Sequence, residues 1–111
     1  MSDDQKAELG KVKMALYLNM AQCLIKLEKW SKVVDNCRYA LEIDPASSKA
    51  LYRRAFALEK TRDFDSAMAD LKTAEKQAPD DKAVKKLMLR VQAQLKRQKD
   101  KQKKMAQKMF S

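Results

Sequence analysis

Two neighbouring predicted helices each carry a row of polar and basic side chains on one face, at the spacings of three and four residues that a helix brings together. Within the second row, Arg53 can hold a carboxylate through two parallel hydrogen bonds, and Lys49 adds a positive charge one turn earlier. Neither row contains an acidic residue, so we expect both to favour an anionic peptide. The candidate peptide-binding residues are Asn19, Gln22, Lys49, Arg53, Phe56 and Lys60.

The spacing of Lys49 and Arg53 is also compatible with a solvated helix face that binds no ligand. Asn19 is a stronger indication of a site. It interrupts an apolar stretch that runs from Leu16 to Ala21, and its side chain competes with the backbone hydrogen bonds of a helix. The rows therefore predict a binding surface, with solvated helix faces as the alternative.

Residues for catalysis or for holding a cofactor are not evident in the sequence. The chain has no histidine and one glycine, so it offers neither a nucleophile–base set nor a glycine-rich phosphate loop. The acidic pairs at Asp63 and Asp65 and at Asp80 and Asp81 are interpreted as helix caps and first-turn charges. Cys23 and Cys37 lack metal-ligand spacing and are predicted to be reduced core residues. We expect a protein that is not an enzyme and that binds no cofactor or metal.

The positive charge of the chain is concentrated at its C-terminal end. Residues 1–79 carry 14 basic and 12 acidic side chains, whereas residues 80–111 carry 11 basic and 3 acidic ones. The basic segment is predicted to be a solvated projecting helix, and the alternative is a calmodulin target with Leu95, Met105 and Met109 as apolar anchors. Nucleic-acid binding is not expected, because the segment has a single aromatic residue and no recognisable nucleic-acid-binding motif.

No stretch of the sequence suggests membrane insertion. There is no run of 18 apolar residues, and the N-terminus is acidic and unlike a signal peptide. A cytoplasmic location is expected, with the nucleus as a second one, and no membrane partner.

A period of 34 residues organises the middle of the chain. Residues of the same size class recur at this offset, small where helices touch and large where they fill grooves. An accidental spacing in a generic helical bundle is the alternative. The recurring pairs are Ala21 and Ala55, Leu24 and Leu58, Trp30 and Phe64, Val33 and Ala67, Ala40 and Ala74, and Pro45 and Pro79.

Periodicity and helix breakers place the helices. Each prolyl residue of the 34-residue period closes a helix, and serine or aspartate stands where the next helix begins. Ser2 and Gln5 have the spacing of a capping box, so residues 1–13 are expected to extend the first helix, although Gly10 weakens it. The predicted helices span about 14–27, 30–43, 49–60, 64–77 and one long stretch from Asp80 or Asp81 towards Phe110.

These positions resemble the signature of the tetratricopeptide repeat family. The first unit matches with Tyr17, Met20, Ala21, Leu24, Val33, Cys37, Ala40 and Pro45. The second unit matches with Leu51, Ala55, Leu58, Ala67, Leu71, Ala74 and Pro79, while Arg54 replaces the usual leucine. The resemblance implies an all-α fold of two helical hairpin repeats with a long C-terminal capping helix. The corresponding segments are an N-terminal helical extension (1–13), two repeats (14–47 and 48–81) and a basic capping helix (82–111).

Leu18-Asn19 and the segment Lys49–Ala55 resemble the carboxylate clamp of co-chaperones that bind the 90-kDa heat-shock protein. In that clamp an asparagine of one repeat and a lysine and an arginine of the next hold the C-terminus of a Met-Glu-Glu-Val-Asp tail. The resemblance assigns these roles to Asn19, Lys49 and Arg53. It implies the tail of the 90-kDa heat-shock protein as partner, with the 70-kDa one as a second. The family's remaining clamp residues belong to a preceding repeat that this sequence does not contain.

The C-terminal part is similar to that of large immunophilins, through Ala78–Lys86, Gln98–Lys101 and Lys108–Phe110. Cyclophilins of the forty-kilodalton type are expected to be most similar, followed by FK-binding immunophilins. Such proteins are prolyl isomerases through a separate N-terminal domain, which this sequence lacks. The resemblance therefore implies a protein-binding fragment of an isomerase.

A third repeat is not apparent, and a repeat preceding the first helix is missing. The apolar face of the first helix would then be uncovered. A homo-oligomeric helical scaffold that covers this face is a further alternative to peptide binding.

Overall fold

A computed structural model describes residues 2–110 of the chain. It contains five helices, α1 (Asp3–Lys26), α2 (Trp30–Ile43), α3 (Ser48–Lys60), α4 (Phe64–Gln77) and α5 (Lys82–Met109). The described residues form no strand, so the predicted all-α fold of helical hairpins is confirmed. Residues 3–13 are the first part of α1, which continues through Gly10 without a break. The division into an extension, two repeats and a cap stays a prediction.

Side chains just before four of the helices satisfy their first backbone N–H groups. The hydroxyl of Ser2 accepts from the Gln5 amide at 3.2 Å, and the Gln5 side chain accepts from the Ser2 amide at 2.9 Å, which completes the expected capping box. Ser47 caps α3, Asp63 caps α4 and Asp81 caps α5. Local sequence therefore determines where these helices begin.

The turns inside the two hairpins have the same backbone geometry. Glu28 and Arg62 lie at equivalent positions of the repeat and have φ angles of 57° and 66°, in the left-handed region that side chains other than glycine seldom adopt. The backbone amide of the next residue donates a hydrogen bond to a carbonyl of the preceding helix. Lys29 donates to the Leu24 carbonyl at 2.9 Å, and Asp63 donates to the Leu58 carbonyl at 2.8 Å. These bonds hold each turn in place.

The helices pack in chain order, each against its neighbour, into a body of 68 × 28 × 22 Å. The main core lies between α3, α4 and α5, where Leu71, Val84, Leu87 and Val91 are almost fully buried. A smaller core between α1, α2 and α3 is built on small side chains. Alanines at these contacts let the helix backbones approach closely, as the repeat pattern predicts.

One of the two predicted core cysteines is on the surface. Cys37 is fully buried, whereas Cys23 is exposed, so the prediction for Cys23 is wrong. Apolar residues occur all around α1, but α2 and α3 cover only part of it. The uncovered part forms an apolar stripe, which we define as Leu9, Val12, Leu16 and Met20 of the helix together with its C-cap residue Leu27.

Arg54, which departs from the repeat signature, pairs with Asp70 of α4. Its Nε donates to Oδ2 at 2.7 Å and its Nη2 donates to Oδ1 at 2.6 Å. The Asp70 side chain is 8% exposed and that of Arg54 27%. The hydrogen bonds to Asp70 raise the pKa of Arg54, so the guanidinium stays charged inside the α3–α4 contact.

The second half of α5 leaves the core. Leu95 still packs partly against the main core, but every side chain from Lys99 to Phe110 is exposed. No helix among residues 2–110 combines the length and the apolar character needed to cross a bilayer.

Candidate functional site

A groove of about 330 Å³ lies between α1, α3 and the start of α5. Residues of α1 form one wall, the exposed face of α3 forms the floor, and the first turn of α5 closes the far side. The groove is lined by Gln22, Ile25, Ser48, Lys49, Tyr52, Arg53, Phe56, Asp81 and Ala83.

Arg53 connects two of these helices. Its Nη1 donates a hydrogen bond of 2.8 Å to the main-chain carbonyl of Leu18 in α1. The side chain is half-buried, and this bond directs the guanidinium towards α1 rather than into solvent. A guanidinium carries five N–H groups, so four remain after this contact. Arg53 is therefore held in place and still able to bind an anion.

Four of the six predicted peptide-binding residues line the groove together, namely Gln22, Lys49, Arg53 and Phe56. The other two lie outside the lining. Asn19 is exposed on α1, one helical turn before Gln22 and next to the carbonyl that Arg53 contacts. Lys60 is exposed at the end of α3, with its Nζ 5.2 Å from the ring centre of Phe56.

Aromatic rings form the apolar part of the groove. Phe56 lies with its ring centre 6.4 Å from that of Tyr52 and 5.9 Å from that of Trp30. Tyr52 and Ile25 were not predicted as site residues, although both lie one turn from a predicted one. Binding pockets commonly combine an apolar and aromatic lining with a few polar groups that orient the ligand.

An ion pair between the half-exposed Arg90 and the buried Glu59 fixes α5 against this floor. Arg90 donates to Glu59 through Nε at 2.6 Å and through Nη2 at 2.7 Å, and the Glu59 side chain is only 3% exposed. The hydrogen bonds to Glu59 raise the pKa of Arg90. The guanidinium carbon of Arg90 also lies 5.8 Å from the ring centre of Phe56. The pair thus couples the position of α5 to the aromatic floor.

Asp81 is an acidic residue in the groove that the sequence did not predict there. Its Oδ1 accepts hydrogen bonds from the amides of Ala83 at 2.9 Å and Val84 at 3.2 Å. Because its charge is compensated at the N-terminus of α5, Asp81 opposes an anion less than a free carboxylate would. Its capping role had been predicted, but its place beside Lys49 depends on how α5 packs.

The three residues named as calmodulin anchors do not form one surface. Leu95 packs partly against the main core, whereas Met105 and Met109 are exposed on the projecting part of α5. The described residues include no group of three or more histidine, cysteine or acidic side chains that could hold a metal ion.

Matches to a protein family and to curated sequences indicate what the chain is similar to. A family model described as tetratricopeptide repeat matches residues 29–95. The chain is 35% identical over 109 residues to the peptidyl-prolyl cis-trans isomerase FKBP4 of Bos taurus. The alignment covers 98% of this chain but only 24% of that protein, so the chain spans about a quarter of its length. The expected similarity to FK-binding immunophilins is thus supported. The expectation that forty-kilodalton cyclophilins are most similar is not supported.

Solved structures with similar folds include the following two. The C-terminal domain of an FK506-binding protein from Plasmodium falciparum, described as containing tetratricopeptide repeats, matches with a TM-score of 0.84 at 21% identity. That match covers 90% of this chain and 66% of the other, and shows the fold alone. The myosin chaperone UNC-45 from C. elegans, solved in complex with a Hsp90 peptide, matches with a TM-score of 0.76 at 31% identity. It covers 96% of this chain and 11% of UNC-45.

Proposed function

This chain belongs to the tetratricopeptide repeat family, and we propose that it is the co-chaperone module of an FK-binding immunophilin that binds the Met-Glu-Glu-Val-Asp tail of the 90-kDa heat-shock protein. In this proposal the chain binds protein and catalyses no reaction, and prolyl isomerisation belongs to another domain of its longer relatives. The 70-kDa heat-shock protein, whose tail is also acidic, is a second partner. The proposed location is the cytoplasm, with the nucleus as a second one.

The observation that carries the proposal is the position of Arg53. Its bond to the Leu18 carbonyl holds the guanidinium at the rim of the groove, with Lys49 one turn earlier on the same helix. No ion pair among residues 2–110 involves either side chain, so both charges are available. A preorganised cation loses less conformational entropy when a carboxylate binds. Asn19, beside Leu18, would complete the contact with an amide.

The apolar floor suits the rest of the tail. The valine that precedes the terminal aspartate would pack on Phe56, Tyr52 and Ile25, which line the groove next to Arg53. Burying an aliphatic side chain contributes about 1.5–3 kcal/mol when it is fully covered. The match to UNC-45, whose structure contains a Hsp90 peptide, supports the same ligand class.

Calorimetric titration with the free pentapeptide and with its C-terminally amidated form tests the proposal. The free acid should bind and the amide should not, because the tail carboxylate is the group that Arg53 and Lys49 hold. Lys49→Ala should weaken binding, whereas Lys72→Ala, which removes an equal charge from the exposed face of α4, should leave it unchanged. Equal binding of both peptides would refute the clamp.

Self-association is a second candidate function, favoured by the apolar stripe on α1. Exposed apolar patches of this kind often mark protein contacts. Sedimentation over a range of concentrations tests it: a mass that rises with concentration supports self-association, and a constant monomer mass excludes it. Calmodulin binding has no comparable support. Of its three predicted anchors, Met105 and Met109 are exposed, but Leu95 packs partly against the main core.

A further inference from the structure

A second cavity of about 330 Å³ lies between the α3–α4 turn and the second half of α5. It is separate from the groove: from Ala83, which lines the groove, to Gln94, which lines this cavity, α5 advances 11 residues or about 16 Å. The proposed function makes no use of it. The cavity is lined by Arg62, Phe64, Gln94, Arg97, Gln98 and Lys101.

Three cations converge on this cavity without a counter-charge. Arg62, Arg97 and Lys101 come from two different elements, and the lining contains no carboxylate from residues 2–110. No ion pair in that part of the chain involves any of the three. Uncompensated positive charges gathered around one cavity favour an anionic ligand.

The turn holds Arg62 in a defined place. Its φ angle of 66° and the hydrogen bond from its amide to the carbonyl of Glu59, at 3.0 Å, fix the backbone. The guanidinium carbon lies 5.4 Å from the ring centre of Phe64, a ring that is 3% exposed. This cation therefore sits on a buried ring instead of moving freely in solvent.

A buried acceptor lines the same cavity. The Oε1 atom of Gln94 is inaccessible to solvent and has no hydrogen-bond partner in the structure. Buried polar atoms of native proteins nearly always have a partner, so an unpaired one in a cavity wall indicates a missing donor. The lining thus offers cations for a negative charge and an unpaired acceptor for an N–H group.

We propose that this cavity binds an acidic side chain of an extended peptide segment, whose carboxylate contacts Arg97, Lys101 and Arg62 while the half-buried Gln94 side chain turns its Oε1 atom towards the cavity and accepts a hydrogen bond from a backbone N–H of the same segment. A peptide supplies both groups within one residue. A nucleic acid fits less well, because the only ring of the lining, Phe64, is buried and offers no face for a base to stack on.

The test uses a fluorescein-labelled glutamate-rich peptide blocked at both ends, so that it has no terminal carboxylate for the groove. Anisotropy with the full chain should show saturable binding. Replacing both Arg97 and Lys101 by glutamine should weaken binding about tenfold, because charge-assisted hydrogen bonds are lost. The matched variant Lys103→Gln with Lys104→Gln removes the same charge from the exposed part of α5 and should change binding less than about threefold, since screening weakens charges outside the cavity.

Equal weakening by the two double variants would show non-specific attraction to the basic helix and overturn the proposal, as would the absence of saturable binding. An oligonucleotide of the same net charge that displaces the peptide at equal concentration would identify a nucleic-acid site instead. Because the peptide ends are blocked, these outcomes do not depend on the clamp in the groove.

Gln94→Met provides an independent readout. Methionine has nearly the same shape and removes the unpaired acceptor, so the melting temperature should rise while affinity for the blocked peptide falls. A structural role of the amide would produce the opposite result, a lower melting temperature with unchanged affinity, and would overturn the assignment of Gln94.

Discussion

The guanidinium of Arg53 is hydrogen bonded to the main-chain carbonyl of Leu18, 35 residues earlier in the chain, at 2.8 Å. This bond crosses from the second helical hairpin to the first and orients the cation towards the groove. It brings the guanidinium to the backbone of Leu18, the residue before Asn19, which no local spacing could have shown. The proposed carboxylate clamp therefore depends on the packing of α1 against α3 as much as on the residues themselves.

Replacing Arg53 by lysine should abolish most of the tail binding although the charge is kept. A lysine ammonium cannot bond the Leu18 carbonyl and still present a fork of two parallel donors to a carboxylate. We expect about a tenfold loss of affinity for the free pentapeptide, from the loss of one charge-assisted hydrogen bond. Calorimetric titration measures this affinity. A free energy of unfolding within about 1 kcal/mol of the wild type, from thermal unfolding, would show that the fold is intact. Unchanged affinity would mean that charge alone matters at this position.

The pair of Arg54 and Asp70 should be strongly coupled. Asp70→Ala leaves a partly buried guanidinium without its partner and should reduce the free energy of unfolding by about 3 kcal/mol. Adding Arg54→Leu, which restores the usual residue of the repeat signature, should recover most of that loss. Urea unfolding of the two single variants and the double variant measures the coupling. Additive losses would show that the pair contributes little.

The two cysteines should differ in reactivity. Burial raises the pKa of the Cys37 thiol to about 11, so hardly any thiolate forms near neutral pH, whereas Cys23 is exposed. A thiol reagent at pH 8 should label one site quickly and the second only on unfolding. The Cys23→Ser variant should lose the fast phase, and a fast phase that persists in it would contradict the assignment.

The same burial makes stability depend on pH. The folded state holds the Cys37 proton more tightly than the unfolded chain, whose thiol has a pKa near 9.0. This contribution is fully present below pH 9 and is lost as the pH rises towards 11. The free energy of unfolding should therefore fall between pH 9 and 11 by more in the wild type than in Cys37→Ala. If the free energy of unfolding depended on pH in the same way in both proteins, Cys37 would not be the source of the pH dependence.

Arg90→Gln should loosen α5, because Glu59 would remain buried without its partner. We expect a loss of about 3 kcal/mol in unfolding free energy and weaker tail binding, since the aromatic floor at Phe56 loses the support of α5. Lys86→Gln on the exposed side of α5 is the matched control and should change neither. Urea unfolding and peptide titration on the same samples measure both effects.

The helices were predictable from the sequence because their signals are local. Prolines and apolar spacing located α2 and α4 to the residue, with Asp63 as the capping side chain of α4, and the 34-residue period indicated how the helices pair. Lys49, Arg53 and Phe56 line one groove because the face of a single helix follows from spacing, and Gln22 joins them only through the packing of α1 against α3. Tyr52 was not predicted as a site residue because an aromatic residue beside that helix face is expected to belong to the hydrophobic core.

Contacts between distant elements were not predictable. Asp81 enters the groove only because α5 packs back against α3, and Cys23 is exposed only because α1 is covered on part of its circumference. The sequence marked Arg54 as a departure from the repeat signature. Its partner Asp70 became evident only from the packing of α4.

The most direct test of the clamp is a double-mutant cycle between Arg53 and the terminal carboxylate of the tail. Affinities of the wild type and of Arg53→Gln are measured for the free and the amidated pentapeptide by chemical-shift titration, which resolves weak binding. A direct contact predicts a coupling of about 1.5–3 kcal/mol, so that amidation costs the wild type much more than it costs Arg53→Gln. If amidation costs both proteins the same, Arg53 does not hold the tail carboxylate.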